Sequence, residues 1–379
     1  MSEYRKLSAH FIFPVHSPPI QNGIITVDHE GKIIDIQESS QKETYNVEFY
    51  NGIIVPGFVN CHCHLELSHL RNILHPGGEI TGFITQMRER RNEKAEKAVS
   101  EATMYDQLMF KEGIVAVADI VNSDITAKLK NESLIHYINY IEVFGLNESE
   151  AGNIFNRARQ LKKLFKNSHI SPHALYSLSP GLANLLSLHK EDTATLHYME
   201  ASDEAAYLRT LTGNLKANYQ QYFPNEKHQP ASLDQLFNPT TKLLLIHNLY
   251  ISKNEEEYIQ QQFPESYRVL CPASNLYISN QCPSYQIFKE DRICLGTDSL
   301  ASNQKLSMLQ EMLEMQNAHP ELCFETLLSW ACINGANALD VSKEMGSFEP
   351  GKKPGIVLLE NFDFQTFRIT KKTTSKRLV

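Results

Sequence analysis

Residues 55–69 read VPGFVNCHCHLELSH and interleave two metal-binding residue types: Cys61, His62, Cys63 and His64. The apolar run before them reads as a β-strand, whose side chains alternate between faces. His62 and His64 therefore share one face, and Cys61 and Cys63 the other. Only one pair can meet whatever lies beyond the strand's end.

Working outward, β-branched runs alternate with segments of helical periodicity, as in successive βα units. The candidate strands are IIVPGFVN (53–60), IVAVADI (114–120), HYINYIEVFG (136–145), HISPH (169–173), TATLHYM (193–199), KLLLIH (242–247), YRVLCP (267–272) and RICLGT (292–297). Helices are expected over 100–113, 148–160, 254–262, 306–316 and 321–332. Eight strands with intervening helices predict an α/β fold, a (β/α)8 TIM-type barrel whose reactive groups sit at the strands' C-terminal ends. An open doubly wound sheet is the alternative, but no glycine-rich phosphate loop follows the first strand. The flanks differ: GIITVDHEGKIIDIQ (23–37) reads as a hairpin turning at Glu30-Gly31, and FEPGKKPGIVLLENFDF (348–364) as a turn and strand. A small β-sandwich built from both termini is expected, with residues 1–52 and 345–379 flanking a barrel of 53–344. The last ten residues, TKKTTSKRLV, read as a mobile basic tail.

The histidine pair gains weight from three later strand ends. His197 ends the fifth strand, with Glu200 just beyond, His247 ends the sixth, and Asp298 follows the eighth. A barrel gathers these ends around one axis, where imidazoles and carboxylates are costly unless they share a ligand. A lone histidine at a strand end is ordinarily a hydrogen-bonded structural residue; the conjunction decides otherwise. The cysteine pair lacks further soft ligands at suitable spacing, and Cys271, Cys282, Cys294, Cys323 and Cys332 read as buried small hydrophobes.

The motifs PGFVNCHCH, SPHALYS, LHYMEAS, LLIHN, CPASN and LGTDSLASN, in this order and across essentially the whole chain, resemble the amidohydrolase superfamily. The fourth strand ends in SPHA and carries no lysine at its mouth, which resembles the mononuclear branch. The resemblance implies His62, His64, His197 and Asp298 as ligands of one divalent metal ion. It implies Glu200 as proton shuttle and His247 as the group that orients the attacking water or the developing oxyanion, with Asp298 also accepting from that water. Zinc is the first choice, with iron or manganese as alternatives for such donors. Three neutral imidazoles and one carboxylate leave a position open for water, and the ion turns that water into a nucleophile near neutral pH. Glu200, three residues past His197, would carry a proton to the substrate ring and then to the departing amine.

SPHALYSLSP is similar to a segment whose histidine, here His173, contacts the sugar or base in nucleoside deaminases of this superfamily; Leu175 departs from the proline common there. HLELS and GTDSLASN look closest to the group acting on aminodeoxyfutalosine in an alternative menaquinone pathway. Hydrolytic deamination of a 6-aminopurine nucleoside derivative is thus the expected activity. The alternatives are hydrolysis of another aminated or halogenated heterocycle, and a barrel kept as a non-catalytic scaffold. Glu66 continues the face of His64 and would bind ribose hydroxyls or pair with a basic side chain. Residues 77–94 would form a lid hinged at Gly77 and Gly78, with Arg88, Arg90 and Arg91 read as a solvated face in preference to contacts with a substrate carboxylate. Lys plus Arg total 36 against 44 Asp plus Glu, which favours neither nucleic acid nor acidic membranes. No run approaches signal-peptide or membrane-span length, and seven cysteines without paired spacing suit a reducing compartment; a cytoplasmic protein is expected. Its partner would be a small-molecule substrate, with a homodimer as the expected assembly.

Overall fold

The two ends of the chain meet in one seven-stranded sheet. In a computed structural model, residues 4–38, 46–224 and 229–379 are described. The sheet contains β1 (Tyr4–Ile12), β2 (Ile20–Gln21), β3 (Ile24–Asp28), β4 (Ile33–Gln37) and β5 (Val47–Pro56) from the N-terminal side. The β3–β4 hairpin turns where expected, with Asp28 Oδ1 accepting from the N–H groups of Glu30 and Lys32 at 2.9 Å each. Alternation of apolar residues gives this sheet its own core, including Leu7, Ile12, Ile25, Val27, Ile54, Ile356 and Leu358.

The run 53–60 is not one strand. Its first half belongs to β5, and β6 (Phe58–Cys63) starts a different sheet. Gly57 makes the break: a Cβ there would lie 2.3 Å from Val115 Cγ1 and 2.5 Å from the Pro354 carbonyl, so only glycine lets the chain pass between the two sheets.

Two parallel four-stranded sheets follow. The first contains β6, β7 (Ile114–Val121), β8 (His136–Val143) and β9 (Ser168–Pro172); the second contains β10 (Thr193–Tyr198), β11 (Lys242–His247), β12 (Tyr267–Leu270) and β13 (Ile293–Leu295). Backbone contacts join them at both margins. The His197 N–H donates to the His173 carbonyl at 2.9 Å, and the Thr297 and Asp298 N–H groups donate to the His62 carbonyl at 3.0 Å. The residues singled out for chemistry also form the seams.

Helices begin where their sequences offer caps: Ser179 before Pro180, and the reciprocal Ser252–Glu255 box before the helix Lys253–Gln262. No helix among the described residues is long and apolar enough to cross a membrane.

Three sequence expectations are corrected. The basic tail is ordered: β14 (Ile356–Glu360) offers a sheet edge, and β15 (Thr374–Arg377) pairs antiparallel with it. Cys323 is exposed at the start of the helix Phe324–Ala331 and Cys282 is half-buried, although Cys271, Cys294 and Cys332 are buried. Finally, β6 shifts register against β7 between Asn60 and Cys63, so Cys61 and Cys63 fall in different apolar clusters.

Candidate active site

The four expected ligands converge. His62 and His64 leave β6 with ring centroids 4.9 Å apart, and the His197 ring lies 4.9 Å from His62. Asp298 Oδ1 is 3.5 Å from His62 Nε2 and 3.6 Å from His64 Nε2. Donor atoms of His62, His64 and His197, and likewise of His62, His247 and Asp298, all fall within 4.8 Å of one another. Glu200 Oε1 faces this group, 3.5 Å from His247 Nε2.

Burial sets the protonation of these groups. It drives His64 and His197 well below the usual imidazole range, aided by repulsion from neighbouring histidines, and takes His247 down to about 4. The Asp298 carboxyl lies well below its usual range; burial opposes this, but the surrounding imidazoles outweigh it. Glu200 moves the other way, raised by burial and then by Asp298, Glu204 and Glu142.

The supports behind these groups are fixed by hydrogen bonds. His197 Nδ1–H donates to the His173 carbonyl at 3.1 Å, which leaves Nε2 as the donor atom toward the cluster. Asp298 Oδ2 accepts from Ser274 Oγ at 2.6 Å and Ser302 Oγ at 2.9 Å, and Oδ1 from the Ser299 N–H at 2.7 Å. Glu311 ties the helix Pro272–Ser279, which carries Ser274, to the turn that carries Ser302, accepting from the Ala273 N–H at 3.0 Å and Asn303 Nδ2 at 2.8 Å. Glu204 Oε2 accepts the Glu200 N–H at 2.7 Å and steadies the turn that aims Glu200.

A cavity of about 500 Å³ opens above the cluster, with His64, His173, His197, Glu200, His247 and Asp298 on its wall. The helix Glu79–Arg90 covers it, starting after Gly77 and Gly78, both at positive φ. Ile80, Phe83, Ile84, Met87 and Arg88 of this helix, and Arg91 beyond it, line the cavity. Arg90 pairs with Glu93 at 2.7 Å and Arg88 donates to Asn218 Oδ1 at 3.2 Å, both at the surface. Arg88 lies over the Tyr222 ring at 4.1 Å.

Residues 53–376 match the model of the Amidohydrolase family. The chain belongs to this family. Adenosine deaminase of Helicobacter pylori is 25% identical over 366 residues, covering 87% of this chain and 82% of the relative. Aminodeoxyfutalosine deaminase of Nitratiruptor sp. is 25% identical over 319 residues, covering 79% and 77%. Among solved structures, Helicobacter pylori aminofutalosine deaminase in complex with methylthio-coformycin superposes with a TM-score of 0.82 at 19% identity, over 99% of this chain and 100% of that one. The similarity implies a TIM-barrel fold for this amidohydrolase, in keeping with its two parallel sheets.

The family is metal-dependent, and the donor set fits a cation. Both ring nitrogens of His62 and Nδ1 of His64 are buried without a hydrogen-bond partner. Unpaired buried polar atoms are uncommon unless something absent from the protein chain satisfies them.

Glu66 sits apart from this group. Its Oε1 accepts from Arg91 at 3.2 Å, and its Oε2 from the Asn122 N–H at 3.2 Å and Ser123 Oγ at 2.9 Å. Sequence reasoning passed over Glu142, Asn122, Glu204, Glu311, Ser274 and Ser302. The two serines lay inside quoted motifs, so their proximity to Asp298 was a usable signal. Glu142 and Asn122 carry none, because their contact with each other at the cavity depends on strand ends meeting in space.

Proposed function

We propose that this amidohydrolase deaminates a 6-aminopurine nucleoside derivative by hydrolysis, replacing the exocyclic amine with water's oxygen and releasing ammonia. The observation that carries this is the convergence of His62, His64, His197 and Asp298, with Glu200 facing them, on the wall of a cavity of about 500 Å³. That volume suits a nucleoside-sized ligand (about 300–1,000 Å³). The deaminase relatives point to the same reaction class.

In this reading the three histidines and Asp298 hold one divalent ion, zinc by first preference. When bound, the ion supplies Lewis acidity that makes water nucleophilic near neutral pH. Glu200 delivers a proton to the ring nitrogen beside the attacked carbon and later to the departing amine. His247 donates to, or orients, the oxygen that becomes the new carbonyl. Asp298, fixed by Ser274 and Ser302, accepts from the attacking water. His173 holds the sugar or base, and Glu66 acts indirectly through Arg91 and Asn122.

The outer wall, with Phe83, Met87, Phe144 and Ile154 beside Arg88, suits a 5′-substituent of the aminodeoxyfutalosine type, with an apolar aryl body and a carboxylate to face the guanidinium. We further propose that the two parallel sheets close as a (β/α)8 barrel over 53–344, with the terminal sheet as its companion β-sandwich. Seven free cysteines favour a reducing, cytoplasmic setting, and a homodimer is the expected assembly.

The test is ammonia release from a panel of adenosine, 5′-deoxyadenosine, methylthioadenosine and aminodeoxyfutalosine with the zinc-loaded protein. Turnover of at least one is expected. Ammonia from none of them, with activity on a triazine or another heterocycle, would overturn the nucleoside reading.

A further inference from the structure

We infer that Glu142 is a specificity-determining residue that accepts a hydrogen bond from a sugar hydroxyl of the substrate. This rests on the nucleoside reading above. Glu142 lies at the mouth end of β8, its side chain is only 5% exposed, and it lines the cavity.

Its two oxygens have different fates. Oε2 accepts from Asn122 Nδ2 at 2.9 Å, and Asn122 is itself held at Oδ1 by Arg91 Nη2 at 3.0 Å. The carboxylate is therefore fixed before any ligand arrives. Oε1 is buried and has no partner, a condition native proteins rarely tolerate outside functional sites.

The nearby histidine does not satisfy it. His197 Nδ1 stands 3.7 Å from Oε1 and is committed to the His173 carbonyl at 3.1 Å. That commitment also removes His197 Nδ1 as a ligand, so Glu142, His173 and His197 do not form a second cation site through it. What Oε1 lacks is a donor, and the ligand must bring one.

An adenine nucleoside carries few donors. Its ring nitrogens are acceptors, which a carboxylate repels, and its exocyclic amine is the group that leaves. The sugar hydroxyls remain. Ser177 Oγ donates to the Ala174 carbonyl at 2.9 Å and thus accepts from His173 Nδ1 at 3.2 Å. The other ring nitrogen of His173 is left as an acceptor. An oxygen of Glu142 and a ring nitrogen of His173 lie within 4.8 Å. Two acceptor side chains this close on one cavity wall match the paired 2′- and 3′-hydroxyls of ribose.

The experiment compares kcat/KM for adenosine, 2′-deoxyadenosine and 3′-deoxyadenosine in the zinc-loaded wild type, Glu142→Gln and Glu142→Ala. The wild type should disfavour at least one deoxy substrate by about 10- to 100-fold, the range for a hydrogen bond to a charged group. In Glu142→Ala that ratio should fall to within about threefold, mostly by loss on adenosine, with Glu142→Gln intermediate because its amide oxygen still accepts. Adenosine turnover with no discrimination in the wild type, or with a ratio unchanged in Glu142→Ala, overturns the inference and leaves the nucleoside reading standing. If Glu142→Ala fails to fold, the isosteric Glu142→Gln decides: a ratio equal to the wild type's overturns the inference. Ammonia from none of these three and from none of 5′-deoxyadenosine, methylthioadenosine and aminodeoxyfutalosine overturns both.

Discussion

At the scale of single residues, the site is built from backbone that ordinary side chains avoid. Met199, His247 and Asp298 have φ of 52°, 75° and 55°, left-handed values that cost about 1–3 kcal/mol at a non-glycine residue. Each lies at a strand's C-terminal end, where the chain turns to aim Glu200, an imidazole or a carboxylate into the cavity. Glu200 is the residue whose role separates most cleanly from metal holding, since it faces His247 and does not belong to the donor cluster. Glu200→Gln should bind metal as the wild type does and lose about 10²- to 10⁴-fold in kcat, checked by metal analysis beside ammonia release. Glu311 offers a second test at this scale. Burial raises its pKa to about 8 from an ordinary 4.5. The unfolded chain releases that proton near 4.5 and the folded protein holds it to about 8, so the folded state binds more protons between those values and stability falls as pH rises. Glu311→Gln should flatten this decline in thermal melts from pH 5 to pH 8; an unchanged slope would show that Glu311 is not its source.

Among the elements, the seam between β6 and β13 places the histidines. A Cβ at Gly296 would lie 2.7 Å from His62 Cβ and 2.9 Å from His62 N. Gly296→Ala should push the two strands apart, lower metal affinity at least tenfold and reduce thermal stability by about 1–3 kcal/mol, read by zinc titration and melting. The lid helix is tied to the helix Ser202–Thr210 through Thr81 Oγ1 and Asp203 Oδ2, 2.5 Å apart. Thr81→Ala should raise KM several-fold with less effect on kcat, because it loosens closure without touching the reacting groups; steady-state kinetics decides. This level also shows what could be read from the chain. The strand ends at His197, His247 and Asp298 are legible because short apolar runs stop at polar residues. Gly57 was not: periodicity runs through it, and the close approach of Val115 and Pro354 that forces the break is a long-range fact. The final strand failed for a similar reason, since a short Thr/Ser/Lys/Arg segment reads as solvated until β14 offers it an edge. Arg91 was assigned to a solvated face because nothing local reveals Glu66 and Asn122 behind it.

Across the whole molecule, the donors are shared between the two parallel sheets: His62 lies in β6 and His64 just after it in the first, while His197 lies in β10 and Asp298 follows β13 in the second. An ion held by all four therefore links the sheets at the seams where they meet by only a few backbone hydrogen bonds, and its binding energy becomes stability of the whole. A ligand bound only to the folded state at about 1,000 times its Kd contributes about 4 kcal/mol. Chelation should accordingly lower the melting temperature by several degrees and restore on adding zinc. Asp298→Ala should melt at one temperature with or without chelator, having lost the ligand that the second sheet supplies after β13, whereas Glu200→Gln should keep the full chelator-dependent shift while lacking turnover. Differential scanning calorimetry of the three proteins with and without chelator checks this. An Asp298→Ala protein that still shows the wild-type shift would mean that the ion is held elsewhere, and the assignment of Asp298 as the ligand joining the two sheets would fall.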